Sequence, residues 1–216
     1  CFVRWLMDFI FDPSLVLYLP LYKLDGASIK SQDAYGHLCT ATGALWRPKG
    51  RLFDGTDDVI DCGVATAANF LAGSPHSCLA WIKADAISTT QYIVVKGTSG
   101  IAFNYLLGVA STGVLFYGNT AGNSISVTAT VSALVWTQVG FVNDGTNVTF
   151  IKNGVLMDTF ARANSGATNE TLKIGSRGSG TPYAFDGLLG EVLIYRRVLT
   201  PAETLRNYQM TKWRYR

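Results

Sequence analysis

The side chains able to do acid–base or nucleophilic chemistry are few, and their spacing limits what they can do. Cutting a sugar bond needs two carboxylates facing one another about 5–9 Å apart. Glu170, Glu191 and Glu203 are isolated, and Asp57 and Asp58, being adjacent, point to opposite faces of any strand that holds them. The 2 imidazoles, His37 and His76, sit in no nucleophile–base pattern. No G-x-S-x-G, H-E-x-x-H, phosphate-loop or G-x-G-x-x-G run occurs. These residues argue against an enzyme.

Metal and ligand chemistry has more material. Asp25, Asp33, Asp54 and Asp186 stand in turn-rich stretches near glycines, a setting in which oxygen atoms converge on a hard cation such as calcium. The same residues serve as turn formers through bonds from side chain to backbone. A sugar site asks for an aromatic platform with amides nearby. Trp46, Tyr92, Tyr105, Tyr117 and Tyr183 fall in or near loops and strand ends, with Asn104, Asn119 and Asn123 as polar neighbours. Tyr117-Gly118-Asn119 and Tyr183 read as the most exposed, so the candidate ligand-binding set is Tyr117, Asn119, Tyr183, Tyr105 and Trp46.

The net charge of +3 singles out no polyanionic partner. Cations gather toward one end, where Arg196, Arg197, Arg206, Lys212, Arg214 and Arg216 face Glu203 alone. With Tyr208, Trp213 and Tyr215 interleaved, such a tail could stack on bases. No nucleic-acid motif accompanies it, and a helix end that favours cations explains it more simply. The candidate assembly contacts are Trp5 and Phe9 in the apolar opening CFVRWLMDFIF, with Trp213, Arg214 and Tyr215 in the tail. If these bind neighbouring subunits, deleting Lys212–Arg216 changes assembly size; if not, the folded monomer is expected to survive the deletion. Cys1, Cys39, Cys62 and Cys78 lack zinc spacing, which leaves disulfides and buried thiols both open. No run of uncharged apolar residues is long enough to span a membrane.

These residues must be positioned by strands. At 48% apolar content with 22 glycines, the 216-residue chain fits one domain of short strands and tight turns. FDGLLGEVLIYRRVLTPAETLRNY, residues 185–208, reads as a turn, a buried strand and a capped helix. A strand so apolar and so late is expected to insert between strands laid down earlier. Trp136–Phe160 reads as a three-stranded meander, turning at Asp144-Gly145 and Asn153-Gly154. RLFDGTDDVIDCG, residues 51–63, reads as a strand pair around Asp54-Gly55. SCLAWIKA alternates, with Leu79 and Trp81 on one face.

SLVLYLPL, RLFDGTDDVIDCG, SCLAWIKA, WTQVGFVNDGTNVTFIKNGVLMD and the closing stretch follow in the order of a known family. Over roughly residues 14–208 the chain resembles the laminin G-like branch of the concanavalin A-like lectin/glucanase jelly rolls. The resemblance implies two antiparallel sheets stacked as an all-β sandwich, with one short C-terminal helix. It also implies a mostly non-catalytic role, since the E-x-D-x-x-E run of the related glucanases is missing. Family members often hold calcium through an Asp just before the Glu-Val of the closing strand. Gly190 stands at that position here, so no cofactor is expected to be required.

The expected function is a recognition module, secreted or displayed on a cell or virion surface, that binds carbohydrate through loops at the sandwich rim or its concave face, with a surface glycan or protein as partner. The alternative is a structural protein of an extracellular or viral particle, using its termini for subunit contacts.

Overall fold

The computed structural model describes residues 12–98, 102–178 and 183–216. β1 (Leu15–Leu19) opens the fold, followed by β2 (Ser28–Lys30), β3 (Leu38–Thr42), β4 (Leu45–Arg47) and β5 (Gly50–Asp54). β6 (Val59–Asp61), β7 (His76–Ala84), β8 (Gln91–Thr98), β9 (Ala102–Val109) and β10 (Val114–Asn119) come next. β11 (Gly122–Thr130), β12 (Thr137–Asn143), β13 (Asn147–Lys152), β14 (Val155–Ala161), β15 (Leu172–Ile174) and β16 (Asp186–Tyr195) complete the strands. The helix α1 (Pro201–Thr211) follows, with a single 3₁₀ turn, Lys212–Tyr215, after it. No helix among the described residues is long and apolar enough to cross a membrane.

The strands form two antiparallel sheets. The first runs β14-β13-β12-β7-β16-β5-β4, with β1 also pairing β16, and the second runs β11-β10-β9-β8-β15-β6-β3-β2. β16 is inserted as its sequence requires. It pairs β7 along its length, β5 through Asp186–Leu189, and β1 through Val192–Tyr195. A register shift between Leu189 and Val192 lets both side chains enter the core.

The core lies between the sheets and takes alternate residues from each strand, such as Cys78, Ala80 and Ile82 of β7. Leu79 and Trp81 turn the other way, onto a face that the C-terminal segments cover. Trp81 donates from Nε1 to Thr211 Oγ1 at 2.8 Å, and Gln138 Nε2 donates to Asn207 Oδ1 at 2.6 Å. Helix α1 starts with a reciprocal cap. Glu203 N donates to Thr200 Oγ1 at 3.3 Å, and Thr200 N donates to Glu203 Oε2 at 2.8 Å. Thr200→Ala should lower stability by about 1 kcal/mol. Urea unfolding checks this: the midpoint should drop with an unchanged slope, and an unchanged midpoint would show the cap to be idle.

The meander over β12, β13 and β14 forms as expected. Asn153 and Gly154 have φ of 50° and 79°, the left-handed pair that a two-residue hairpin turn needs. The strand pair around Asp54-Gly55 does not form. β5 belongs to the first sheet and β6 to the second, so the turn carries the chain across the sandwich edge. Long-range bonds redirect it: Gly55 N donates to Phe185 O at 3.1 Å, and Asp54 N donates to Asp58 Oδ2 at 2.9 Å. Cys39, Cys62 and Cys78 are buried free thiols. Cys1, Trp5 and Phe9 lie outside the described residues.

Candidate functional site

Alternation along β8, β9 and β10 sends one set of side chains into the core and the other onto the outer face of the second sheet. The outer set forms its own cluster: Val95, Leu106 and Phe116, packed with Tyr92, Phe103 and Ala110. Gly108 sits in register with both Tyr92 and Phe116. A Cβ at Gly108 would meet the Phe116 ring at 2.5 Å, so the bare backbone is what lets that ring lie across it. Tyr92 and Phe116 approach to 5.9 Å between centroids.

Tyr183 completes a ledge over this floor. Its ring stacks on Tyr92 at 4.8 Å and 26°, and Tyr92 N donates to Tyr183 O at 2.8 Å. The Arg177 guanidinium lies 5.3 Å from the Tyr183 centroid and 6.0 Å from that of Tyr92. Lys173 Nζ donates to Arg177 O at 3.0 Å, which anchors the Arg177 backbone. Tyr92, Tyr183 and Arg177 are each half-buried, so part of each side chain reaches solvent. Burial pushes the Tyr92 hydroxyl above its ordinary value, while Arg177 pulls it back. Farther along the face, Ile125 and Val127 of β11 are exposed. The ledge offers flat π-surface and guanidinium donors, and no carboxylate stands among its residues.

Of the candidate ligand-binding residues, only Tyr183 belongs to this ledge. Tyr105 and Tyr117 are core residues, a correction that follows from parity: Leu106 and Phe116, their neighbours, take the outward positions. Tyr105 Oη donates to Ala68 O at 3.0 Å, and the Tyr117 ring packs edge-on to Phe141 at 4.8 Å. Asn119 is also buried, donating to Ala163 O at 2.7 Å and accepting from Ala121 N at 3.0 Å, so it holds a turn. Trp46 lies on the first sheet, half-buried, with Nε1 donating to Tyr22 O at 3.0 Å.

The four candidate calcium ligands do not converge. Asp54 and Asp186 face one another across β5 and β16. Burial, Asp85 and Asp54 together raise the Asp186 carboxyl above its ordinary value. Asp33 is occupied as a turn former, accepting from Tyr18 N, Tyr35 N and Gly36 N at 2.9, 2.8 and 3.2 Å. Asp25 offers its backbone oxygen to Arg51 Nη2 at 2.6 Å. Asp54 instead groups with Asp57 and Asp58, whose carboxylate oxygens lie within 4.8 Å of one another. The strand parity of Asp57 and Asp58 does not come into play, because both precede β6 in a loop. Gly190 has a packing reason: a Cβ there would meet the Tyr215 ring at 2.3 Å.

Of the tail's candidate assembly contacts, Trp213 is 65% exposed while Tyr215 is only 4% exposed. Tyr215 packs on Trp81 and Trp136 of its own chain, which leaves little of it for contact with another subunit. Arg214 lies 3.7 Å over the Tyr22 ring and pairs with Glu191 at 3.4 Å.

Residues 54–204 match a laminin G family model described as the concanavalin A-like lectin/glucanases superfamily. Comparison with curated proteins finds no match. Among solved structures, Trypanosoma rangeli sialidase in complex with sialic acid superposes with a TM-score of 0.73 at 16% identity, over 95% of this chain and 34% of that one. The binding domain of Paraclostridial Mosquitocidal Protein 1 superposes with a TM-score of 0.67 at 15% identity, over 91% of this chain and 52% of that one. This chain therefore spans about a third of the sialidase and half of the toxin domain, and at these identities the likeness is one of fold.

Proposed function

The chain belongs to the concanavalin A-like lectin/glucanase superfamily, and from that premise we propose a non-catalytic recognition module that binds carbohydrate on the outer face of its second sheet. The observation that carries this is the Tyr92–Tyr183 stack with Arg177 beside it. Sugar rings present apolar C–H faces that lie on aromatic rings, and hydroxyls that accept from a guanidinium's fork of N–H donors. Tyr92, Tyr183 and Arg177 bring no carboxylate to hold a hard cation, so binding is expected without a cofactor. The module works outside the cell, on a cell surface or on a virion, with glycan as its partner. Support comes also from the comparisons, which include the binding domain of Paraclostridial Mosquitocidal Protein 1. The second reading, a particle subunit held by its termini, keeps Trp213 as its exposed tail contact.

A broad glycan and polysaccharide array, run with calcium and then with chelator, tests the proposal. Binding should appear under both conditions. Tyr183→Ala should weaken the best signal about tenfold, with the unfolding midpoint checked in parallel. Silence on every spot, or wild-type binding by Tyr183→Ala, would contradict it.

A further inference from the structure

The outer face of the first sheet carries an open groove of about 650 Å³, a volume within the range that small ligands fill. Its floor is set by register, with Leu188 opposite both Leu52 and Lys83. Trp136 and Tyr215, 4.7 Å apart, give it an aromatic end. Arg47, Lys49 and Arg216 also line it, and no acidic residue does. In a chain with 18 cationic and 15 acidic side chains, that segregation by sign is a local feature. Among the described residues none of these cations is in a salt bridge. Lys49 donates to the Arg216 backbone oxygen, and Arg47 Nη1 donates to Trp46 O at 3.0 Å. The Arg47 bond positions its cation without cancelling its charge.

We propose that this groove is a second binding site, separate from the tyrosine ledge, and that it takes acidic saccharides. The sugar ring lies on Leu52, Leu188 and Trp136, and its carboxylate or sulfate sits among Arg47, Lys49 and Lys83. An anion gains charge-assisted hydrogen bonds there that a neutral sugar does not. The proposal stands independently of binding at Tyr92 and Tyr183, because its probes and its variants are different ones.

The test titrates the full chain with dextran sulfate oligosaccharides and with oligogalacturonate, using uncharged dextran as control. At least one acidic probe should bind where dextran does not, with affinity falling between about 50 and about 200 mM salt. Lys83→Ala and Lys49→Ala should each weaken that binding about tenfold, with Lys83→Arg retaining most of it. Lys30→Ala, an equal loss of charge on the second sheet, should change it less than about twofold. Binding of only one probe identifies sulfate or carboxylate as the group taken. The proposal is overturned if neither acidic probe binds, if dextran binds as tightly, or if Lys30→Ala weakens binding as much as Lys83→Ala.

Discussion

Replacing Tyr215 by alanine is expected to lower the stability of the monomer by about 3–5 kcal/mol, the range for deleting a buried aromatic ring. Its ring is wedged between Trp81, at 4.5 Å, and Trp136, at 4.7 Å, and rests on the bare backbone of Gly190. Removing it leaves a cavity that sheet residues cannot fill and wets Trp81, now 3% exposed. Tyr215→Phe keeps the ring and should cost less than about 1.5 kcal/mol. Deleting Lys212–Arg216 should therefore destabilise the fold itself, contrary to the expectation from sequence that a monomer would tolerate the loss. Urea unfolding decides the matter. A wild-type midpoint for Tyr215→Ala would mean that the tail does not hold the sandwich.

Glu191 lies under the same tail, and its removal should change how stability depends on pH. Burial pushes its carboxyl up to about 7, against the pull of Arg214, Tyr18 and Thr211. The folded chain then holds this proton more tightly than the unfolded chain, whose ordinary value is 4.5. The contribution to stability is full below about pH 4.5 and is lost as pH rises through about 7, a change on the order of 3 kcal/mol. His76 works in the opposite sense. Burial among Phe70, Tyr105 and Phe141 lowers its pKa to about 4, so its contribution is full above 6.5 and is lost as pH falls through about 4. The two offset one another in the wild type between about pH 4.5 and 6.5. Glu191→Gln should expose the difference: its stability relative to wild type should rise by about 3 kcal/mol from pH 5 to pH 8. A difference that stays constant over that interval would mean that Glu191 is ionised throughout in the folded state.

The elements legible in the sequence are those whose signals are local. The closing strand declares itself by an apolar run, helix α1 by Thr200-Pro201-Ala202-Glu203, and the meander by Asp144-Gly145 and Asn153-Gly154. β5 and β6 were not legible as members of different sheets. A turn at Asp54-Gly55 suits a hairpin or a crossover equally, and the choice is made by Phe185 and Asp58. The site fails for a related reason. Phe116 and Tyr117 are both aromatic, so no polar residue marks which one faces out, and pairing with Gly108 decides it. Arg177 sits in SRGSG, a stretch that reads only as a turn, and nothing in its spacing announces the Tyr92–Tyr183 stack beside it.

Mapping amide shifts while an isotope-labelled chain is titrated with the strongest glycan from the array tests the central claim most directly. The account predicts that the largest shifts fall on Tyr92, Gly108, Phe116, Arg177 and Tyr183. Shifts confined to the loops around Asp33 or Asp54, with those five unmoved, would contradict it and place recognition at the rim of the sandwich.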